Sequence, residues 1–307
     1  MRRKGFENAV ELVILASAMT AIAGLFLIFI FIGKEALPVF FSPEIRDEAG
    51  LSKLFLAQAG PHPFSWQPVS LVPKYSVLTL FAGTLKATLV AIIFAAPLAL
   101  GAALFTAEFA PDWLKEIIKP VIEILAGIPS IVLGFFALMV MATFVQDAFG
   151  TLYRLNALVA GIALGLAVIP VIYTVAEDAL SGVPYSYKEA SIALGATRWQ
   201  TASRIVFPAA LPGILAACIL GFGRCIGETM IVLMASGNAP LMTWILDSPI
   251  RTVSATVAAE LGEVVVGSGH YHVLFFLGTL LFVFTFAINL FAHWFVKRLQ
   301  KKILGIT

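Results

Sequence analysis

The chain has 307 residues, of which 60% are hydrophobic and only 12% are charged, and its mean hydropathy is +0.97. These values exclude an ordinary soluble domain and indicate a protein that crosses a membrane several times. The formal net charge of +2 is small, and no basic cluster interleaved with aromatic residues lies outside the apolar segments. The sequence therefore gives no support to a nucleic-acid partner.

Six apolar segments are long enough to cross a bilayer, which takes about 20 helical residues each. The sequence therefore predicts an all-α polytopic membrane protein with six transmembrane helices. We place these helices at residues 9–32, 77–107, 121–145, 155–176, 209–235 and 272–296.

Four regions follow from this pattern. The first apolar run follows three basic residues but is too long for a signal peptide, so we expect a cytoplasmic tip and a retained anchor at 1–36. The proline-rich residues 37–76 are predicted to form an irregular external loop. A core of five helices at 77–296 and a basic cytoplasmic tail at 297–307 complete the chain.

The basic residues set the expected orientation. With the N-terminus inside, basic residues on the cytoplasmic flanks outnumber those on the outer flanks by about two to one. This bias predicts that both termini lie in the cytoplasm, and it places the polar stretch 186–208 there as well.

The polar stretch 186–208 is predicted to form two short helices joined by a turn. Pro184 bars a continuing helix, and Ser186 with Glu189 has capping-box spacing, so the first helix should begin at Tyr187. Gly195 can take the left-handed conformation that ends many helices.

The second short helix has its own start and stop signals. Thr197 with Gln200 repeats the capping-box spacing, and Pro208 is expected to close the helix. Pattern alone leaves open a solvated helical loop that touches nothing and a surface that docks a partner.

Two charges lie inside the fifth apolar segment. Arg224 and Glu228 are four residues apart and are expected to share one helix face, where each charge alone would cost at least about 2.5 kcal/mol. One interpretation is a neutralising ion pair that only orients the helix. The other is that Arg224 offers its fork of donors to a tetrahedral oxyanion while Glu228 holds the guanidinium in place.

The external part before the last helix carries further polar residues. Residues 253–266 are apolar but interrupted by Glu260 and Glu263, which predicts an external loop helix or a shallow re-entrant piece. His270 and His272 lack a third ligand nearby, so we expect histidines at a helix start and no metal site.

The polar stretch resembles the EAA signature of ABC importer permeases, with serine and phenylalanine replacing one alanine and one leucine of that pattern. The residues that match or carry the signature are Glu189, Ala190, Ser191, Gly195, Ile205 and Pro208. The resemblance implies a type I (MetI-like) ABC importer permease fold, with coupling helices at 185–208 that dock in a cytoplasmic ATPase.

The run from Gly223 through Glu228 to Met230 resembles the G-R-x-x-G-E-T-M motif of phosphate-specific (Pst) ABC permeases, in particular the C-type subunit. The resemblance covers about residues 76–289. It implies that Arg224 and Glu228 are the charged residues of the phosphate pathway.

The resemblance also implies a function and a set of partners. We expect a permease subunit that moves inorganic phosphate across the cytoplasmic (inner) membrane of a prokaryote. Its expected partners are a sister permease, two copies of an ATP-binding subunit, an external phosphate-binding protein and membrane lipid. The sequence has no G-x-x-x-x-G-K-[ST] loop, so we expect no ATPase site and no bound cofactor in this chain, with ATP and Mg used by the partner ATPase.

Three alternatives remain at this point. A permease for sulfate or molybdate would share the same signatures. An ion-coupled secondary transporter would tend to show internal repeats, and none is apparent. An intramembrane enzyme would need a catalytic motif such as H-E-x-x-H or G-x-S-x-G, and the sequence has neither.

Overall fold

The computed structural model describes residues 2–58 and 62–304, and most of these are helical. The α-helices of the described residues are α1 Arg2–Ala36, α2 Pro38–Phe41, α3 Pro43–Ala49, α4 Leu51–Phe55, α5 Val77–Glu108, α6 Asp112–Ala126, α7 Ser130–Phe136, α8 Ala142–Phe149, α9 Ala157–Ser181, α10 Tyr185–Ala193, α11 Arg198–Thr201, α12 Phe207–Gly227, α13 Met230–Ala235, α14 Val253–Glu260 and α15 Gly269–Leu304. Two π turns, Ala137–Met141 and Ala202–Val206, join α7 to α8 and α11 to α12.

Six helical stretches are long and apolar enough to cross a membrane, which confirms the predicted number. They are Val10–Phe41, Val77–Glu108, Ser130–Phe149, Ala157–Ser181, Arg198–Gly227 and Gly269–Lys301. The third and the fifth differ from the sequence-based prediction at both ends.

The third span begins at Ser130, so the predicted start at residue 121 is wrong. Residues 121–126 belong instead to α6, an amphipathic helix that ends before Pro129. Several of its apolar side chains, including Trp113 and Ile124, are exposed in this chain, while Ile118 and Ile122 pack against the bundle core. Hydropathy averaged along the sequence does not reveal the break between α6 and α7, because the apolar residues of α6 continue into the apolar third span with little change in composition.

The fifth span begins at Arg198 and ends at Gly227, so it does not cover the predicted 209–235. Pro208 does not close the preceding helix, because the π turn at Ala202–Val206 carries the helix into α12. A π turn widens the helix locally, so the helix can continue past a proline, whose ring needs space and whose nitrogen donates no hydrogen bond.

The core of the bundle is formed by α5, α9 and α12, and small residues let these helices come close. Ala91, Ala95 and Ala99 recur every fourth residue on α5 and are fully buried. On α9, a side chain at Gly161 or Gly165 would collide with α5. Such small-residue faces allow the close backbone contact that membrane helices use in place of a hydrophobic driving force.

The first helix lies outside this core. It packs against α15, where the rings of Phe29 and Phe282 meet edge to face with centroids 3.9 Å apart, and most of its other apolar side chains are exposed. Exposed apolar side chains are expected of a helix surrounded by lipid.

The proline-rich loop contains more regular structure than the irregular loop that was predicted. It contains α2, α3 and α4 and two short antiparallel strands, β1 Trp66–Gln67 and β2 Lys74–Tyr75. Trp66 and Tyr75 lie opposite each other and are buried, so they form a small core with α4, α5, α14 and α15. We call the end of the bundle with residues 38–76 and 236–268 the loop end, and the end with α10 and α11 the motif end.

Candidate functional site

The helix pair at the motif end forms, but its first cap differs from the prediction. The helix α10 begins at Tyr185, and Ser186 makes no capping hydrogen bond. The capping box of Ser186 with Glu189 is therefore wrong, because Pro184 in extended conformation already sets the start of the helix.

The turn and the second cap are as predicted. Gly195 has a φ of +84°, the left-handed conformation that glycine adopts without strain. The Thr197 side chain accepts a hydrogen bond from the Gln200 amide at 3.2 Å, and the Gln200 side chain accepts one from the Thr197 amide at 2.9 Å. The turn between the two helices is thus fixed by local chemistry alone.

The six signature residues do not all face the same way. Glu189, Ala190, Gly195, Ile205 and Pro208 are exposed, the first three around α10 and the last two at the start of the fifth span. Ser191 points inward and is buried, and its hydroxyl lies 3.0 Å from the hydroxyl of Thr201 on α11. The serine that replaces the usual alanine therefore ties the two short helices together.

The exposed surface of the pair is apolar as well as polar. Leu194 is 90% exposed, and Trp199 and Tyr185 are also exposed. Large apolar side chains grouped on the surface of a polar element indicate a protein contact.

Two ion pairs connect the motif end to the membrane helices. The Lys188 ammonium lies 2.6 Å from the Glu108 carboxylate at the end of α5, and both side chains are largely buried. The Lys119 ammonium on α6 lies 2.9 Å from Glu177 on α9, and this hydrogen bond raises the pKa of Lys119. Neither pair was predicted, because partners 80 and 58 residues apart leave no local pattern in the sequence.

The charged residues of the fifth span do not form the expected pair. The helix α12 ends at Gly227, and Glu228 follows in extended conformation, with φ −70° and ψ 134°. The Glu228 carboxylate accepts hydrogen bonds from the amides of Thr229 at 3.1 Å and Met230 at 3.2 Å, so it caps the start of α13. The expectation that Glu228 shares a helix face with Arg224 and holds its guanidinium is wrong.

Arg224 is left with its guanidinium uncovered. The residue is exposed near the loop-end terminus of α12, and within the described parts of the chain no carboxylate lies within 4 Å of it. A cation exposed on a membrane helix needs water, an anion or a second protein surface beside it. The geometry leaves Arg224 free to face such a surface.

The loop end holds a second charged cluster, centred on Glu260 of α14. Its carboxylate lies 2.6 Å from the Arg251 guanidinium and 3.1 Å from the His270 ring, and it accepts a hydrogen bond from the Trp66 indole at 3.0 Å. The helix α14 is present but shorter than the predicted 253–266. His270 lies at the start of α15, where it was expected, and its partner is a carboxylate. In the described residues no group of three His, Cys, Asp or Glu side chains is arranged to hold a metal ion.

The six long apolar helical stretches define a multi-pass membrane protein, and comparison with known proteins supplies the family. Residues 95–305 match the family of binding-protein-dependent transport system inner membrane components. The match covers more than half of the chain, so the chain belongs to this family.

Curated relatives make the comparison more specific. The phosphate transport system permease protein PstC of Xylella fastidiosa (strain Temecula1) is 35% identical over 256 residues, which cover 77% of this chain and 78% of the relative. The PstC of Mesorhizobium japonicum is 34% identical over 257 residues, covering 78% of each chain. The probable ABC transporter permease protein YqgH of Bacillus subtilis is 33% identical over 289 residues, covering 94% of this chain and 90% of the relative.

Solved structures agree on the fold. A bacterial ABC transporter that imports alginate contains a chain with a TM-score of 0.62 and 16% identity, covering 93% of this chain and 95% of its own length. The MetNI methionine ABC transporter gives a TM-score of 0.56 at 20% identity, covering 73% of this chain and 97% of its own. At such identities the likeness concerns the fold alone, and it confirms the predicted ABC importer permease fold.

Proposed function

We propose that this chain is the permease subunit of an ATP-driven importer of inorganic phosphate. The observation that carries the proposal is the uncovered guanidinium of Arg224 near one end of α12, in a chain that is 34–35% identical to phosphate permeases over three quarters of its length. A guanidinium presents several N–H donors in a fixed fork, which suits the oxygens of phosphate.

The position of Glu228 changes its proposed role. Its carboxylate accepts hydrogen bonds from the amides of Thr229 and Met230 at the start of α13, and Glu228 directly follows Gly227, the last residue of α12. It therefore shapes the end of the pathway and does not neutralise Arg224. It can still accept a hydrogen bond from a protonated oxygen of phosphate. Sulfate carries no such proton at neutral pH.

The motif end is the proposed docking surface for the ATPase. Glu189, Ala190 and Gly195 lie on its exposed side, and Leu194 and Trp199 supply apolar contact area. The Lys188–Glu108 pair then carries movement of the docked helix into α5. In this arrangement ATP and Mg are used by two copies of the ATPase, and both termini of this chain lie in the cytoplasm.

The remaining partners follow from the exposed faces. A sister permease packs beside α12 and encloses the anion with Arg224, and an external phosphate-binding protein delivers phosphate to the loop end. The sister subunit supplies the second wall of the pathway, which this chain alone leaves open at Arg224.

The test is uptake by the complete importer reconstituted in vesicles with its sister permease, ATPase and binding protein. Phosphate uptake should require ATP on the side of the membrane where the ATPase is bound, and it should continue in the presence of an uncoupler. Arg224→Ala should abolish uptake, while Arg298→Ala, which removes an exposed arginine that lies over Trp294 of the same helix, should leave it unchanged. Uptake of sulfate or molybdate in place of phosphate, or collapse with the uncoupler, would contradict the proposal.

A further inference from the structure

Lys86 is a buried cation in the second span that no carboxylate neutralises. It lies on α5, is only 8% exposed, and has no acidic partner within 4 Å in the described parts of the chain. Its ammonium donates instead to two backbone carbonyls, those of Thr243 and of Ile245, the latter at 3.2 Å. Neither acceptor carries a charge.

Such an arrangement is unusual for a purely structural residue. An ammonium has three donors and is strongly hydrated in water, so its burial is costly unless a negative charge lies nearby. Two carbonyl dipoles compensate it in part and leave a donor and the net positive charge unmatched. The site around Lys86 is therefore one that favours an anion.

The position of Lys86 relates it to Arg224. The start of α14 contacts both of the helices that carry these cations. The Val253 amide donates a hydrogen bond to the Thr84 hydroxyl of α5 at 3.1 Å, and the Ser254 hydroxyl donates one to the Glu228 carbonyl just after α12 at 2.7 Å. Lys86 is two residues from Thr84 and Arg224 is four residues from Glu228, so the two cations lie on neighbouring helices at similar depth.

The carbonyls that hold Lys86 belong to a segment anchored on both sides. On one side the Pro240 carbonyl accepts a hydrogen bond from the Trp66 amide at 3.0 Å. On the other side the Leu246 carbonyl accepts one from the Leu158 amide at 3.1 Å. Between these anchors, residues 242–245 have no helix or extended ladder of their own and cover Lys86.

We propose that Lys86 is a second cationic contact for the transported oxyanion, reached after Arg224 or before it on the same pathway. In the conformation seen here the carbonyls of Thr243 and Ile245 occupy its donors. The anion replaces these carbonyls when it enters, because a charged acceptor binds an ammonium more strongly than a carbonyl does. This inference rests on the proposed function for its setting, and the ligand class is a tetrahedral oxyanion.

The experiment compares Lys86 variants in the complete reconstituted importer, with initial uptake measured at saturating binding protein. Lys86→Met removes charge and donors, Lys86→Gln keeps N–H donors for the carbonyls but removes the charge, and Lys86→Arg keeps both. The control is Lys34→Met, because Lys34 is an exposed lysine near the end of α1, outside the loop-end residues and the motif-end helices. Co-purification of the subunits establishes that each variant assembles.

The Met and Gln variants should each lose uptake by about tenfold or more, as expected when one charge-assisted hydrogen bond to the anion is lost. The Arg variant and the Lys34 control should retain it. Uptake by Lys86→Gln at the rate of the unaltered chain would overturn the inference, because the ammonium would then only hold the loop. If Lys86→Met does not assemble, Lys86→Gln alone decides.

The outcome is separate from that of the proposed function. The variants are assayed with whichever of phosphate, sulfate or molybdate the unaltered importer carries. Failure to carry phosphate contradicts the proposed function, whereas uniform uptake of the carried anion by all Lys86 variants contradicts the role of Lys86.

Discussion

The Glu260 cluster of the loop end and the exposed surface of the motif end differ in where their partners come from. In the cluster, Arg251 and His270 both lie against the Glu260 carboxylate, and each of the three side chains is no more than 17% exposed. At the motif end, Glu189 and Leu194 are exposed, and Glu189 forms no ion pair among the described residues. The Glu260 cluster is therefore formed within this chain, whereas the exposed surface of the motif end awaits a partner.

Substitutions in the two regions should therefore affect different properties, either the stability of the isolated chain or its binding to a partner. Residues that satisfy one another inside the chain contribute to its own folding free energy, and their loss should be measurable on the isolated subunit. Residues that wait for a partner contribute little until the partner binds. Thermal unfolding of the isolated chain, followed with a thiol-reactive fluorophore that reports the exposure of buried Cys225 and half-buried Cys218, can tell the two apart.

The largest effect is expected at the centre of the loop-end cluster. Glu260→Ala leaves the Arg251 guanidinium, the Trp66 indole and the His270 ring without their shared acceptor. Removing one partner of a buried ion pair costs about 3–5 kcal/mol, so the unfolding temperature should fall sharply. Glu263→Ala, which removes an exposed carboxylate just beyond α14, is the control and should unfold like the unaltered chain. Equal unfolding temperatures for both variants would show that the cluster contributes nothing.

A smaller effect is expected at the turn of the motif end. Gly195→Val places a β-branched side chain at a φ of +84°, where the space around the residue is open and only the backbone is strained. Left-handed backbone costs a non-glycine residue about 1–2 kcal/mol, which the isolated chain should lose. Asparagine tolerates this conformation, so Gly195→Asn should lose less. If the two variants are equally stable, the left-handed turn is not formed in solution.

The loop end should also respond to alkaline pH through Tyr75. Burial, together with the nearby Glu48 carboxylate that accepts its hydrogen bond at 3.0 Å, raises the pKa of Tyr75. The neutral phenol is therefore favoured in the folded chain, and above pH 10 the unfolded chain loses its proton first. Stability should fall by up to about 1.4 kcal/mol per pH unit there.

Tyr75→Phe supplies the comparison for that pH dependence. The variant starts with lower stability because Glu48 loses its donor, but the part of the alkaline slope due to Tyr75 should disappear. Unfolding measured between pH 8 and 11 gives both slopes. Parallel slopes would mean that the pKa of Tyr75 is the same in the folded and unfolded chains, so that its surroundings do not raise it.

The sequence was sufficient for features that depend on composition or on a few adjacent residues. Hydropathy alone predicts the six spans. Gly195 and the capping-box spacing of Thr197 with Gln200 predict the turn of the motif end. The helix breaks at Pro129 and Glu228 were missed because apolar residues continue on both sides of each break. The division of the chain into four regions, with boundaries at residues 37, 77 and 297, remains a prediction.

For the candidate site, the limits are similar. The exposure of Arg224 could be anticipated from a charge placed in an apolar run, but not its separation from Glu228. The separation arises because α12 ends at Gly227, and the Glu228 carboxylate then accepts hydrogen bonds from the amides at the start of α13. The partner of Lys188 and the carbonyls around Lys86 come from distant parts of the chain, and one sequence carries no signal for such contacts.

The smallest effect on the isolated chain is expected at the most exposed large apolar residue of the motif end. Leu194→Ser replaces a side chain that is 90% exposed, so the unfolding temperature should correspond to a change within about 0.5 kcal/mol. In the complete importer the same variant should bind the ATPase more weakly, because the leucine becomes buried only there.

Leu71→Ser is the matched control for Leu194→Ser, since Leu71 is an equally exposed leucine at the loop end. Both variants should unfold like the unaltered chain, and only Leu194→Ser should reduce co-purification of the ATPase. A loss of stability for Leu194→Ser would mean that the motif end is already satisfied within this chain. The contrast between the Glu260 cluster, which is formed within the chain, and the exposed surface of the motif end would then fail, because both would be stabilised by contacts within the chain.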